Sequence, residues 1–350
     1  MKPLILAPKI TLRGWLMSLW LPLTLLLVGY GVAHVLVEEQ KQAQQQKISV
    51  AVKDRLNQIA EGVREKVTLY QYGLRGTRGA VMSISPEHFD YDDMQTYTSV
   101  RDYKLEFPGA RGFGLIIRVE PDKQADFLSR MARERPEYVF QIKQLSPHTD
   151  TLFVITYIEP EADNAQAVGL DIGSENMRRE AALDAARNND VRLTAPITLV
   201  QADKQTQQGF LILMPVYTTP SVPKTAEQRL QALYGWSYAA LLINEVLSTV
   251  SGLQNDVLLS ITDVTDETAV EFFRRGDAAR FETELQQQHD LSLFGRNWRL
   301  NLVPTQQFIA ALNLPDSRTL FLEVMGLTIL LALATYLLQV LIMRRAQLVR

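Results

Sequence analysis

The stretch AVGLDIGSENMRREAALDAARNNDVRLTAPITL, residues 167–199, predicts a strand, a helix and a second strand in quick succession. The helix is expected to begin at Ser174, a residue type favoured at helix starts. Asp171 stands between Leu170 and Ile172, at the end of what the pattern predicts to be a buried strand. A carboxylate in apolar surroundings is costly unless something pairs with it. Asp171 is therefore a candidate turn residue, ligand contact or catalytic group.

Short strands and helices alternate on both sides of this stretch, which predicts a mixed α+β fold with an antiparallel sheet. Residues 80–234 are expected to form a first unit and residues 235–315 a smaller second unit. The strands predicted for the first unit are 112–119, 138–142, 152–158, 192–200 and 209–217, with a helix at 121–135. Those predicted for the second unit are 235–243, 256–264 and a hairpin at 291–304 that turns near Gly295, with short helices at 244–252 and 305–313.

Two apolar segments determine the class of protein. GWLMSLWLPLTLLLVGYGVAHVLV, residues 14–37, contains no charged residue, and LFLEVMGLTILLALATYLLQVLIM, residues 320–343, contains one. Each is longer than the roughly 20 residues that a transmembrane helix requires. The alternative for the first segment is a cleaved signal peptide, but its apolar run is longer than usual and no small-residue cleavage site ends it. We therefore predict two transmembrane helices.

Basic residues lie outside both spans. They are Lys2, Lys9 and Arg13 before the first, and Arg344 and Arg345 after the second. The positive-inside rule then places residues 1–13 and 344–350 in the cytoplasm and residues 38–319 outside.

Residues 38–79 are predicted to continue the first span as a stalk helix. Apolar residues recur at steps of three and four, which is typical of one helical face. They are Ile48, Val52, Leu56, Ile59, Val63, Val67, Tyr70 and Leu74. The pattern fits a simple spacer, and it fits a stalk that pairs two copies of the chain and carries motion to the membrane. We expect a homodimer through this helix.

Several function classes are excluded by composition and motif. The net charge of −3 gives no basic surface for nucleic acid. The chain has no cysteine, and its four histidines are far apart, so we expect no metal site and no cofactor. The glycine pair of GFG, residues 112–114, lacks the lysine of a phosphate-binding loop, and no GxSxG nucleophile motif occurs. We expect no catalytic residues in this chain.

Five segments resemble the CHASE domain, the extracellular sensor of cytokinin-receptor histidine kinases and of many bacterial receptors. The motifs are a PG-x-x-G-x-G strand, a Y-x-x-P before an asparagine, a G-x-D-x-x-S, an L-T strand and a G-F-x-x-x-x-P-V-Y strand. They occur in FPGARGFGLIIRV (107–119), the segment from Tyr157 to Leu199, GFLILMPVY (209–217) and YGWSYAALLI (234–243). FGRNWRLNLVPTQQF (294–308) also resembles the membrane-proximal end of such domains.

The resemblance implies a long stalk helix that carries two tandem PAS-like units, with the ligand in the membrane-distal one. In plant members the G-x-D carboxylate binds the adenine edge of the hormone, and that position is Asp171 here. The same cavity would be lined by Leu193 and Thr194. Six further strand residues are candidates for its walls, with core packing as the alternative for each. They are Phe113, Leu115, Phe153, Ile155, Leu211 and Leu213.

We therefore expect a receptor of the bacterial inner membrane, with its sensor domain in the periplasm. A small molecule, with adenine derivatives as one class, would bind the domain and bias a dimer between two states. No kinase, cyclase or phosphodiesterase signature follows the second span, so the output module is expected to lie outside this chain. The alternative is a periplasmic protein-interaction or structural module whose interior is filled with side chains.

Overall fold

The computed structural model describes residues 12–200, 206–248, 250–276 and 285–348. The chain divides into two compact units. One contains residues 1–51 and 307–350, and the other contains residues 52–306. The predicted cytoplasmic N-terminus, residues 1–13, lies outside the described residues except for its last two.

The helices of the described residues run in the following order. They are α1 (Leu12–Ile84), α2 (Tyr91–Ser99), α3 (Tyr103–Glu106), α4 (Gln124–Glu134), α5 (Asn176–Asn188), α6 (Ala226–Gln231), α7 (Ile243–Ser248), α8 (Gln306–Ala311) and α9 (Ser317–Leu348). Single 3₁₀ turns at Pro121–Lys123 and Ile172–Ser174 precede α4 and α5. The long N-terminal helix and the mixed α+β character predicted from the sequence are confirmed.

The described strands form two sheets. They are β1 (Ala110–Val119), β2 (Lys143–Gln144), β3 (Leu152–Glu159), β4 (Leu170–Asp171), β5 (Arg192–Leu193), β6 (Ile197–Val200), β7 (Thr206–Tyr217), β8 (Leu233–Leu242), β9 (Val257–Asp263), β10 (Val270–Arg275), β11 (Gln287–Leu293) and β12 (Arg296–Pro304). The larger sheet has the order β2-β4-β3-β1-β8-β7-β5, with β6 also paired to β7, and the smaller has the order β10-β9-β12-β11. All pairs are antiparallel except β2 with β4.

The two faces of the larger sheet have separate cores, because successive side chains of a strand point to opposite faces. On one face, Leu115, Val154 and Tyr157 pack with residues of α1, α2 and α4. On the other face, Ile116, Phe153 and further side chains pack with the alanines of α5. The second face also contains the cavity described below.

An aromatic cluster joins the two sheets. The rings of Phe210, Phe272 and Trp298 lie with their centroids 5.0–5.1 Å apart in each pairing. The backbone N–H of Leu193 on the larger sheet donates to the carbonyl of Phe294, in the hairpin turn of the smaller sheet. The sheets therefore belong to one compact unit, and their identity as two PAS-like units stays a prediction.

The apolar stripe predicted along the stalk is buried within the single chain. Every one of its residues from Ile48 to Leu74 is at most 8% exposed. Three polar contacts fix the part of α1 that belongs to the second unit. The Tyr70 hydroxyl donates to the carbonyl of Pro108, the Ser237 hydroxyl donates to that of Leu74, and Arg55 lies 3.4 Å from Asp256. Intramolecular packing accounts for the stripe, so the predicted dimer has no support from it and stays a prediction.

Two helical segments match the predicted spans. The ranges Leu19–Ile84 and Ser317–Ala346 each contain a stretch long and apolar enough to cross a membrane. Large apolar side chains of both are exposed, including Leu27 and Leu330. Within their own unit the two helices touch, since the rings of Tyr30 and Phe321 meet edge to face at 6.2 Å.

The boundary predicted at residue 235 is wrong for one strand. β8 was expected to open the second unit, but it pairs with β1 and β7 in the middle of the larger sheet. Its apolar run made it a good strand, and its sequence gave no sign of its partners, because pairing in an antiparallel sheet is nonlocal. The smaller sheet begins only at β9.

Three local predictions also need correction. Residues 138–142 form no strand, although Tyr138 and Phe140 pack on the core and Val139 is 80% exposed. This alternation mimics a strand without backbone pairing. The predicted strand 192–200 is interrupted between β5 and β6. The cap of α5 is Glu175, whose carboxylate accepts two backbone N–H groups, whereas Ser174 donates to the carbonyl of Asp171.

Two glycines of α1 give a matched test of this packing. A Cβ at Gly73 would overlap the fully buried ring of Phe113, whereas a Cβ at Gly79 would meet nothing. We expect Gly73→Ala to destabilise the protein by about 1–3 kcal/mol through overpacking. Gly79→Ala should be neutral or stabilise it by up to about 1 kcal/mol, because alanine favours the helix. Thermal unfolding of both variants checks this, and equal effects would contradict the packing described.

Candidate ligand cavity

A cavity of about 710 Å³ lies on the α5 face of the larger sheet. This volume is in the range of small-molecule sites. Its walls come from β3, β6, β7 and β8, from the first turn of α5, and from the loop 164–167. Most of the lining is apolar and includes Ile155, Ile158, Ile172, Ile197, Leu211 and Ala240.

The glycine pair of GFG provides room beside this cavity. A Cβ at Gly114 would overlap the ring of Tyr238 and the carbonyl oxygen of Tyr157, and a Cβ at Gly112 would crowd the side chains of Ile158 and Asn164. Tyr238, Ile158 and Asn164 all line the cavity. The glycines therefore let β3 and β8 approach β1 closely.

The hydroxyl of Tyr238 is the polar group in this wall that lacks a partner. The side chain is 0% exposed, and its Oη has no hydrogen-bond partner among the residues that the structure describes. Burial raises the pKa of this phenol well above its usual value, so the group is neutral. An unpaired buried hydroxyl costs about 1–3 kcal/mol, which a ligand atom in the cavity would recover.

Arg178 places a buried cation in the opposite part of the lining, on the first turn of α5. Its side chain is 8% exposed. Nη2 donates to the carbonyl of Thr198 at 3.3 Å, and Nε lies 3.5 Å from Glu175 without a hydrogen-bond partner among the described residues. Burial lowers the pKa of Arg178, and Glu175 opposes that shift. The guanidinium therefore has donors to spare for a ligand.

Two other polar side chains hold the walls in place. Lys143 Nζ donates to the carbonyls of Gln166 and Val168, at 3.1 and 2.9 Å. Asn164, the asparagine that follows the Y-x-x-P motif, donates to the carbonyls of Arg111 and Pro160, at 3.0 and 2.8 Å. Their donors are used within the protein, so their role at the cavity is to shape it.

Asp171 is fully buried, but it is not among the residues that line the cavity. One carboxylate oxygen accepts the backbone N–H groups of Phe153 and Gly173, at 2.8 and 2.9 Å. The other lies 2.7 Å from His148 Nε2 and 3.4 Å from Gln144 Nε2. These contacts answer the electrostatic question that the sequence raised, because the buried charge is paired within the protein.

The geometry thus favours the turn role that was one alternative for Asp171, and ligand contact by this residue stays a prediction. The adjacent arginines are not its partners. Arg179 donates to the carbonyls of Thr151 and Gly173, and Arg178 faces Glu175. His148 was not connected to Asp171 from sequence, since a separation of more than twenty residues carries no spacing signal.

The other predicted contacts divide among three places. Ile155 and Leu211 line the cavity. Phe153 and Leu213 belong to the core on the same face, where Phe153 packs on Trp236. Leu193 and Thr194 are buried in and after β5, and the Thr194 hydroxyl accepts the backbone N–H of Leu211, so it does not face solvent.

The two remaining predicted contacts, Phe113 and Leu115, point away from the cavity. Phe113 packs on Tyr103 and Phe107, and Leu115 belongs to the core beneath α1, α2 and α4. Both occupy odd positions of β1, whereas the cavity side has the even positions Gly112 and Gly114. They are corrected here as core residues.

Sequence reasoning missed Tyr238 as a site residue and assigned Arg178 to a different partner. A usable signal was present for Tyr238, because a tyrosine in the apolar run WSYAALL brings a hydroxyl into a core that offers few acceptors.

Asp171→Ala should destabilise the protein by about 2–4 kcal/mol with no ligand present, because it leaves two buried N–H groups without an acceptor. Asp150→Ala is the matched control, since the Asp150 side chain is 76% exposed and should matter little. Chemical denaturation measures both. An unchanged stability for Asp171→Ala would show that these hydrogen bonds are not what keeps the acid buried.

Comparison with known proteins gives a family. No curated protein matches this chain. Among solved structures, the periplasmic sensory domain of the Campylobacter jejuni chemoreceptor Tlp1 is similar over 77% of this chain and 98% of that chain, with 11% identity and a TM-score of 0.45. The model of the CHASE domain family matches residues 87–273, which is more than half of the chain and includes the cavity. The chain therefore belongs to the CHASE domain family of sensor domains.

Proposed function

We propose that this chain is the sensing part of a two-span membrane receptor and that its CHASE domain binds a small molecule in the cavity beside α5. The observation that carries the proposal is the Tyr238 hydroxyl, which is fully buried at the cavity wall and has no partner among the described residues. Buried polar groups are rarely left unpaired unless something else satisfies them. A ligand that accepts or donates one hydrogen bond would do so.

The cavity also separates this proposal from the alternative of a protein-interaction or structural module. A domain that serves only as a surface is expected to fill its interior with side chains, because voids reduce stability. Here about 710 Å³ is open behind a sheet whose central strand has two glycines. The space supports a ligand-binding function.

Strand β8 provides a short route from the cavity to α1. Tyr238 faces the cavity, and the preceding residue, Ser237, points to the other face of the sheet and donates to the carbonyl of Leu74 on α1 at 2.8 Å. A ligand that draws Tyr238 inward would move Ser237 with it. We propose that this displacement shifts α1 and is the signal.

The proposed topology follows the charges flanking the two apolar helices. Both chain ends would be cytoplasmic, and the CHASE domain would lie in the periplasm of a bacterial inner membrane. The two sheets would correspond to the two PAS-like units of the family. The shift of α1 relative to α9 would act on a kinase or cyclic-nucleotide enzyme outside this chain, within a homodimer.

Tyr238→Phe should have opposite effects on the free protein and on binding. Removing an unpaired hydroxyl should leave the stability of the free protein unchanged or raise it by about 1–3 kcal/mol. The same change should weaken a ligand that bonds to that hydroxyl by about fivefold to tenfold. Thermal unfolding of wild type and variant, with and without each member of a metabolite library, measures both effects.

Ala240→Phe is the companion variant, because it fills the cavity from the neighbouring cavity-facing position of β8. It should stay folded and lose the stabilisation that ligands give to wild type. If a ligand stabilises Ala240→Phe and Tyr238→Phe as much as wild type, the ligand binds elsewhere and the proposed site is wrong.

A further inference from the structure

We infer that the ligand is an organic acid, with an apolar body in the cavity and a carboxylate paired with Arg178. This inference rests on the proposed function and adds the chemical class of the ligand. The polarity is opposite to that expected from Asp171, because the charge offered to the cavity is positive.

The charge balance of the lining supports an anion. Three cationic side chains, Arg111, Lys143 and Arg178, line the cavity together with one acid, Glu175. Arg111 pairs with Glu245 at 3.1 Å, and Lys143 bonds to backbone carbonyls. The carboxylate of Glu175 accepts the backbone N–H groups of Met177 and Arg178, at 3.2 and 3.3 Å. Arg178 is therefore the lining cation whose charge is least compensated.

Burial makes the charge of Arg178 more effective. Its side chain is 8% exposed, so water does little to screen it, and the hydrogen bonds available to it are few. Ionic hydrogen bonds are stronger in such low-dielectric surroundings. A guanidinium also presents a planar pair of N–H donors that matches a carboxylate. An acid in the cavity would supply the acceptors that Arg178 lacks.

The rest of the lining specifies the body of this acid. Side chains of β3, β6 and β7, including Ile155, Ile197, Leu199 and Leu211, present an apolar surface that favours a ring or an alkyl chain. Tyr238 adds one hydroxyl for a polar atom of the ligand. Small highly charged anions such as phosphate would leave these apolar walls empty and are disfavoured.

Matched acid and amide probes test the inference on the full chain in nanodiscs of neutral lipid. The pairs are indole-3-acetate with indole-3-acetamide, 3-phenylpropionate with 3-phenylpropionamide, and octanoate with octanamide. Calorimetry or tryptophan fluorescence gives each affinity. We expect the acid of at least one pair to bind wild type about tenfold or more tightly than its amide, as an ionic hydrogen bond provides.

Arg178→Met should reduce this acid-to-amide ratio to about one and leave the amide's affinity unchanged. Arg179→Met is the matched control, because Arg179 is the next residue of the same helix and is not among the cavity-lining residues. It should keep the wild-type ratio. Arg178→Lys retains the charge without the planar fork and should give an intermediate ratio, so it tests the inference if Arg178→Met fails to fold.

The outcomes distinguish the two proposals. If acid and amide bind wild type equally and Tyr238→Phe weakens both, the acid inference is overturned and the proposed function is supported. The same holds against the inference if Arg178→Met keeps the preference for the acid. If no probe of any pair binds wild type, both are overturned.

Discussion

The close approach of β8 to β1 at Gly114 is the constraint on which the rest of this structure depends. It seats the ring of Tyr238 against the sheet, where its hydroxyl ends at the cavity wall without a partner among the described residues. A residue with a side chain at position 114 would push the ring or the strand away. The glycines that resembled a weak phosphate motif are therefore structural parts of the ligand cavity.

Strand β8 connects the two cores of the larger sheet because its residues alternate between them. Trp236, Tyr238 and Ala240 face the cavity side, and Ser237 faces α1. The indole N–H of Trp236 donates to the carbonyl of Ala182 on α5, at 2.8 Å. One strand thus contacts the helix beside the cavity and the helix that leads toward the first apolar segment. In a sensor domain, such a strand is a natural element for passing a displacement.

Much of the fold was predictable from local pattern, and much of the site was not. Alternating apolar residues located β1, β3, β7 and the β11–β12 hairpin, because periodicity is a property of neighbouring residues. The partners of β8 and the contact between His148 and Asp171 depend on residues far apart in sequence. Whether a buried polar group is paired has no local signature, so Asp171 drew attention although it is satisfied, and Tyr238 escaped it although it is not.

The most direct test of the central claim is a high-resolution crystal structure of the full chain with a stabilising ligand bound. The account predicts ligand density in the cavity with a polar atom about 2.6–3.2 Å from the Tyr238 hydroxyl oxygen, and Asp171 still bonded to His148. A cavity closed by the protein's own side chains, with Tyr238 bonded to a protein group and the ligand bound elsewhere, would contradict it.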